Sequence, residues 1–478
     1  MKRHNFRRGS KVPFAFIALA AAVSVWSESL TLRDAMSAAL QRSEEARMMS
    51  EKETKLDAQK SEVLSAALPN VQLYANAGRG ASPFDLSSLG FKAPTRYTQD
   101  AAGNLVVDPA TNKVLVDNTP QAAPNVINIA QNRYSYGVQV TQPIFAFGRV
   151  GQAYHVAGTV QRSQTESNRR SRQELEMQTL DAFYGALTSR ARVQVIEASL
   201  KRQNEAVGFM QSNFRMGAGQ RSTVLLATSA LKSLEPERIR AQSDADAAAM
   251  SLNRLVGRSV QSPVEPDSSA ADFAIPAVDT SEAGIQAILE RRPDLQAMQL
   301  QKESLRGYAR YYRMQYLPTL GFQGKWGILA YKLNNQMTDF DKNLEWQVGV
   351  GLQWPIFDGF GQSSKARQYD SDARTLELSQ RLGTTFARID IERALHEAAA
   401  ADTAYEAARQ ARDAAEDARQ MLSEDFRSGK GQVTDLLAAE EGLRNAELGV
   451  LGARYQKIRA CAALRVALGM DLIEEGSK

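Results

Sequence analysis

The sequence is poor in the side chains that most often carry chemistry. Among 478 residues it has one cysteine, Cys461, and three histidines, His4, His155 and His396. A single cysteine permits no internal disulfide, and isolated histidines give no basis for a catalytic triad or a metal cluster. The segment Gly429-Lys430-Gly431 lacks the spacing of a phosphate-binding loop. We therefore expect no enzyme activity, no cofactor and no bound metal.

Long apolar runs are also scarce. Charged residues make up 23% of the chain and the mean hydropathy is -0.37, which excludes a bundle of transmembrane helices; each such helix needs about 20 apolar residues. The exception is an apolar run at residues 12–26, which follows a basic segment at 1–11. We expect residues 1–28 to be a secretory signal peptide and, because no cysteine follows it, no lipid anchor.

The net charge gives no support for a nucleic-acid partner. The chain has 58 Lys and Arg against 54 Asp and Glu, and five of the basic residues lie in the signal segment. Removing residues 1–28, which also contain Glu28, leaves 53 against 53 (58 − 5 = 53; 54 − 1 = 53). The remaining protein is near neutral, so we expect no nucleic-acid binding.

The chain contains the same plan twice. At an offset of 249, Leu68-Pro69 matches Leu317-Pro318 (317 − 68 = 249). At an offset of 212, residues 214–220 match 426–432, and Pro143 matches Pro355 (355 − 143 = 212). Such repeats decide architecture. We predict a first repeat at 29–257, a linker at 258–281, a second repeat at 282–470 and a tail at 471–478.

Each repeat reads as helix, strand, loop, strand, very long helix, tight turn and helix. The first repeat has the longer loop, by 37 residues (249 − 212), and we predict a small hairpin within 105–116 of it. Pro236 predicts a kink in its last helix. The predicted helices are 31–66, 147–213, 223–256, 282–316, 360–425 and 434–468. The predicted strands are 71–78, 134–141, 320–328 and 344–354, each about 8 to 11 residues long.

The strands alternate between apolar and polar residues. In 344–354 every second residue is apolar, from Leu344 to Trp354, and large aromatics such as Trp326 lie near strand ends. With a signal peptide in front and no other strand-rich region to pack on, this pattern favours strands that face lipid over a soluble sandwich. Open strands cannot remain in lipid, because their edge amides would lack partners. Since four strands are too few to close a barrel, the chain must oligomerise and share one of 8, 12 or 16 strands.

With these features the sequence resembles the TolC-like outer membrane efflux proteins, the outer membrane factors of tripartite efflux and type I secretion systems. The matching motifs are Leu68-Pro69 and Leu317-Pro318 before strands, Gln142-Pro143-Ile144-Phe145 and Trp354-Pro355-Ile356-Phe357-Asp358-Gly359 after strands, Arg292-Pro293-Asp294-Leu295, and the paired Gly-x-Gly turns. The resemblance implies a mainly α fold with a small transmembrane β part. It also implies a homotrimer with a 12-stranded barrel in the outer membrane and a long helical barrel through the periplasm.

The resemblance further implies a function and partners. Substrates would be exported passively, delivered by an inner-membrane pump of the RND, ABC or MFS type and a periplasmic adaptor. The Arg292-Pro293-Asp294 motif leans towards the drug and metal efflux branch. The remaining alternative is a secreted, oligomeric coiled-coil structural protein or adhesin, which would not need strands that face lipid.

The resemblance also assigns candidate site residues. The helix turns that dock the adaptor would contain Gly217, Ala218, Gly219, Ser222, Gly429, Lys430, Gly431 and Thr434. The barrel–helix junctions would contain Pro69, Pro143, Pro318 and Pro355. Asp435 matches a position at which the family has an acid in the pore aperture. Ala438 replaces the family's second acid, one helical turn later. Gly431 and Thr223 occupy the positions at which the family has a gate-locking arginine and its acidic partner. Their replacement predicts a looser gate.

Overall fold

Helices dominate the computed structural model, which describes residues 29–85, 95–117, 126–267, 275–333 and 338–473. The predicted signal peptide lies outside the described residues. In chain order the helices are α1 (Leu32–Arg42), α2 (Glu44–Ser65), α3 (Arg149–Arg215), α4 (Arg221–Leu255), α5 (Glu282–Arg291), α6 (Pro293–Arg313), α7 (Phe340–Asn343), α8 (Gly361–Arg427) and α9 (Val433–Ala467). The strands are β1 (Asn70–Asp85), β2 (Val107–Asp108), β3 (Lys113–Val114), β4 (Val126–Phe145), β5 (Thr319–Ala330) and β6 (Leu344–Gln353).

The two very long helices are confirmed. Helices α3 and α8 have 67 residues each, which at 1.5 Å per residue is about 100 Å. The returning helices α4 and α9 have 35 residues each. Pro236 lies inside α4, which continues past it. None of the described helices combines the length and apolar content needed to cross a membrane.

The first helix of each repeat is broken, and the prediction of one continuous helix at 31–66 and at 282–316 was wrong. Ser43 has extended backbone between α1 and α2, and its hydroxyl accepts a hydrogen bond from Ala46 N at 3.1 Å. Arg292 is extended between α5 and α6, because the residue before a proline is forced away from helical geometry. Pro293 then begins α6, where its missing N–H costs nothing.

The described residues form two compact units. The first comprises the described parts of Met1–Lys52, Glu166–Gln296 and Arg381–Lys478. Its largest core contains Leu180 and Phe183 of α3, Met36 of α1 and Ile458 of α9. The helices of both repeats therefore share one hydrophobic core in this unit.

The second unit comprises the described parts of Glu53–Thr165 and Ala297–Gln380. Its main element is an antiparallel sheet with strand order β1-β4-β5-β6, so the hairpins of the two repeats lie side by side. The predicted small hairpin is confirmed, since β2 pairs with β3 in antiparallel fashion.

The expected strand length of about 8 to 11 residues is correct for β6, which has 10. Strand β5 is slightly longer, with 12 residues, and the strands of the first repeat are much longer. Strands β1 and β4 have 16 and 20 residues and stay paired as far as Asp85 and Val126. Gly78, Gly80 and Pro83 interrupt the alternation of side chains, so the sequence pattern ends before the backbone pairing does.

The sheet separates its side chains by face, as a period of two requires. In the order β1, β4, β5, β6 the apolar rows are Ala75, Tyr136, Ile328, Leu344; Leu73, Val138, Trp326, Trp346; and Val71, Val140, Gly324, Val348. The rows of the opposite face are Tyr74, Gly137, Gly327, Glu345; Gln72, Gln139, Lys325, Gln347; and Asn70, Thr141, Gln323, Gly349. Much of the apolar face is open in one protomer, with Leu73 86% and Trp346 68% exposed.

Candidate functional site

The two helix turns that the sequence singled out have the same backbone geometry. Gly217 and Gly429 lie just after α3 and α8 with φ of 76° and 79°. In the first turn Ala218 N donates to Asn213 O at 2.9 Å, and in the second Lys430 N donates to Asp425 O at 2.9 Å. This is the Schellman arrangement, in which a left-handed residue lets the chain satisfy the last carbonyls of a helix.

The second glycine of each turn lies close to the backbone of the preceding helix. A Cβ on Gly219 would lie 3.1 Å from Phe214 N, and one on Gly431 would lie 3.0 Å from Phe426 N. The following helices begin at Arg221 and Val433. Each Gly-x-Gly motif therefore reverses the chain within a few residues and keeps the backbone accessible.

Apolar packing brings the two turns together within the first unit. Phe209 and Phe426 meet edge to face with ring centroids 6.1 Å apart. The surrounding cluster consists of Val207, Met210, Ala227 and Leu436, with Ala206, Val224, Leu231, Phe426 and Val433 against it. The turn residues beyond this cluster are exposed, including Gly217, Ala218, Gly219, Ser222, Gly429, Lys430 and Thr434.

Asp435 lies in the first turn of α9, and its side chain is exposed. Thr434 Oγ1 is 3.4 Å from its Oδ1. The start of a helix carries partial positive charge, which suits a carboxylate at this position. Ala438, one turn further along, is exposed as well and adds no charge.

Sequence reasoning missed an ionic network in the same helices. Arg202 of α3 donates to Glu440 of α9 at 2.9 Å and to Glu447 at 3.4 Å. Arg419 of α8 lies 3.6 Å from the nearly buried Glu440. Burial lowers the pKa of Arg202, but its pairing with Glu440 and Glu447 outweighs this and raises it. The partners are more than 200 residues apart in sequence for Arg202, so no local signal could have revealed them.

The four prolines lie where strands and helices meet. Pro69 and Pro318 directly precede β1 and β5, and Pro355 follows β6. Pro143 lies inside the last three residues of β4, where the register with β5 shifts. Proline cannot donate to a sheet, so it occurs at strand ends and at such irregularities.

The connections from strand to long helix have a further feature that the sequence did not reveal. Phe147 and Phe360 have φ of 48° and 67°, and each has a glycine neighbour with positive φ, Gly148 or Gly359. Phe147 packs against Phe145 with ring centroids 4.6 Å apart. Phe360 packs against Phe357 with ring centroids 5.3 Å apart. A phenylalanine with such a positive φ costs about 1–3 kcal/mol.

The arrangement contains no candidate metal site in the part of the chain that the structure describes: no group of three His, Cys, Asp or Glu side chains is placed to hold an ion. The first unit offers two exposed helix turns with a carboxylate beside them, and the second unit offers a sheet with one apolar and one polar face.

Comparison with known proteins identifies the family. The family model of outer membrane efflux proteins matches residues 35–258 and 284–470. The chain is 24% identical to the alkaline protease secretion protein AprF of Pseudomonas aeruginosa over 351 residues, 70% of each chain.

Solved structures share the fold. The Campylobacter jejuni CmeC outer membrane channel has a TM-score of 0.72 at 15% identity, covering 94% of this chain and 87% of that one. The Vibrio cholerae outer membrane protein VceC has a TM-score of 0.68 at 16% identity, covering 92% and 97%. The secreted-fibre alternative is therefore set aside. The chain belongs to the outer membrane efflux protein family and is a TolC-like outer-membrane channel with a periplasmic helical extension.

Proposed function

We propose that this chain is one third of a homotrimeric channel-tunnel through which substrates leave the cell passively. The observation that carries the proposal is the four-stranded sheet, which has one exposed apolar face, one polar face and two edge strands, β1 and β6. In lipid the apolar face is favourable, and the polar face suits a water-filled lumen.

The edges supply the argument for oligomerisation. Within the described residues β1 and β6 each pair on one side only. Unpaired amides in hydrocarbon cost several kcal/mol each, so the sheet must close on other sheets. Four strands cannot do this alone, since the smallest barrels have about eight. Three copies give the 12 strands that the family resemblance implies.

The helix turns are the proposed docking site for the periplasmic adaptor. Gly217, Ala218 and Gly219 in one turn and Gly429 and Lys430 in the other present exposed backbone to a partner helix pair, next to the half-buried Gly431. Ser222 and Thr434 follow at the starts of the returning helices. An inner-membrane pump would supply the energy, so the protein needs no catalytic residues of its own.

The pore aperture is proposed at Asp435, where three copies would place three carboxylates and favour cations. Gly431, Thr223 and Ala438 stand where the family has its gate-locking pair and a second acid. The entrance would thus be held by fewer polar links, giving a looser gate.

The proposed layout of the chain keeps its repeats and junctions. Residues 1–28 would be removed as a signal peptide, repeats at 29–257 and 282–470 would be joined by the linker at 258–281, and 471–478 would form a tail. The junction prolines Pro69, Pro143, Pro318 and Pro355 would mark the boundary between barrel and helices.

Photo-crosslinking in the living cell tests the docking proposal. A photoreactive residue at Ala218 or Lys430 should capture the adaptor, whereas the same residue at Ser251, which is also exposed but lies far along α4, should not. Mass spectrometry of the captured protein would also separate a drug or metal efflux system from type I secretion. Capture at Ser251 alone would contradict the docking assignment.

A further inference from the structure

The polar face of the sheet contains a charged cluster. In the rows where all four strands are paired, the charged residues are Lys325 of β5 and Glu345 of β6. Lys325 Nζ lies 3.7 Å from Glu345 Oε2 and 4.7 Å from the ring centre of Tyr74. The two repeats thus supply this cluster together, Tyr74 from the first and the ion pair from the second.

Two glycines make the cluster possible. Gly137 and Gly327 face each other in the row between Tyr74 and Glu345, and a Cβ on either would lie within 2.5 Å of the opposite backbone. The Tyr74 ring fills this gap, and its hydroxyl lies 2.6 Å from where a Gly327 Cβ would stand. That hydroxyl has no hydrogen-bond partner among the described residues. The Tyr74 ring therefore packs against one side of the Lys325 ammonium.

The two charges lie close together, and both are accessible to ions. Their separation of 3.7 Å exceeds a hydrogen bond, and the side chains of Lys325 and Glu345 are 31% and 36% exposed. A partly exposed pair of this kind contributes little to the stability of the fold. Each group remains available to an ion that passes along the polar face.

We infer that Tyr74, Lys325 and Glu345 form a layer of paired charges in the lumen of the β part, which interacts with small anions at Lys325 and small cations at Glu345. This rests on the proposed trimer, because symmetry then places three ammonium groups at one height and three carboxylates at another. A 12-stranded lumen lies between the filled interior of about eight strands and the open channel of about 16. At physiological salt the Debye length is about 8 Å, so a charge left without its partner acts across much of such a lumen.

Reversal potentials in planar bilayers under a KCl gradient test the inference. Lys325→Gln leaves three carboxylates and should raise the K⁺/Cl⁻ permeability ratio by roughly threefold, and Glu345→Gln should lower it to a similar extent. Lys325→Arg keeps the charge and should keep the ratio. Lys342→Gln is the matched control, because it removes another 3.7 Å ion pair, with Asp339, that lies outside the sheet.

The outcomes separate this inference from the proposed function. Opposite shifts in the two glutamine variants, with an unchanged control, support the layer. If conducting channels of both variants keep the wild-type ratio, or shift in the same direction, the layer is overturned while the channel stands. If the wild-type trimer does not conduct at all, the proposed function fails and the inference fails with it.

Discussion

The two repeats break their first helix at equivalent positions but stabilise the break through different contacts. In the first repeat, Glu45 of α2 pairs with Arg254 of α4 at 2.6 Å, and both side chains are partly exposed. In the second, Arg292 holds Asp294 through two hydrogen bonds, at 3.1 and 2.8 Å, and donates to Ala467 O. Arg292 is only 3% exposed. The same helix break is therefore held by a surface ion pair in one repeat and by a buried arginine in the other.

The repeats differ most where the strands end. The hairpin of the first repeat extends to Asp85 and Val126, and the loop beyond it contains the small β2–β3 hairpin. The second repeat connects β5 to β6 through the short helix α7. Backbone geometry constrains the helix breaks and turns in both halves, whereas the strand ends are free to vary.

Removing the contacts of the buried Arg292 should have the largest effect on stability. Arg292→Ala leaves Asp294 and a buried carbonyl without their donor, which should destabilise the folded protein by about 3 kcal/mol. Arg254→Ala removes only the surface pair and should cost less than about 1 kcal/mol. Thermal midpoints of the purified protein in detergent would compare them. Equal shifts in the two variants would contradict this difference between the repeats.

The second-largest effect on stability is expected at Gly257 and Gly469, the glycines that follow α4 and α9. Gly257 and Gly469 both have left-handed φ, which costs an alanine about 1–2 kcal/mol. A Cβ on Gly257 would lie 2.8 Å from Arg42 Cβ, whereas the nearest atom to one on Gly469 is 3.5 Å away. Gly257→Ala should therefore lower the thermal midpoint more than Gly469→Ala. Gly429→Ala, which meets nothing within 4 Å, measures the backbone cost alone.

Acid should weaken both the Glu45–Arg254 and the Asp294–Arg292 contacts. The hydrogen bond from Arg254 holds the pKa of Glu45 below its usual value. Burial raises the pKa of Asp294, but the hydrogen bonds from Arg292 outweigh it and the pKa is lowered. Groups with a lowered folded pKa stabilise above their unfolded pKa, near 4, and lose that contribution as the pH falls through the folded value.

The variant Asp294→Asn lacks the contribution of Asp294 at every pH. Its thermal midpoint should therefore fall less steeply than that of the wild type when the pH is lowered below about 4. Glu45→Gln is the equivalent variant in the first repeat, and its thermal midpoint should likewise depend less steeply on pH. An acid limb as steep as that of the wild type in either variant would mean that the carboxylate has no lowered pKa.

The smallest predicted effect concerns ion preference at the helix turns. Asp435→Ala should lower the K⁺/Cl⁻ permeability ratio in planar bilayers by about twofold at low salt, because three carboxylates are lost. Thr223 occupies the equivalent position in the first repeat, so Thr223→Ala should leave the ratio unchanged. An unchanged reversal potential for Asp435→Ala would remove this residue from the proposed aperture.

Local chemistry explains which features the sequence could predict. The Gly-x-Gly turns and the alternation from Leu344 onward follow from neighbouring residues, so their positions were predictable. The break at Arg292 could have been recognised from Pro293, and that at Ser43 from a capping side chain before Glu44. The pairing of Arg202 with Glu440 joins distant helices, and the position of Lys325 against Tyr74 depends on the order of strands from both repeats. Such contacts exist only once the topology is known.

Counting the protomers in the folded, detergent-solubilised protein tests the account most directly. Native mass spectrometry of the protein extracted from outer membranes should give three copies of the chain, and boiling should convert them to single chains with altered electrophoretic migration. A folded single chain that remains in solution without detergent would contradict the claim that four strands from each copy build one barrel.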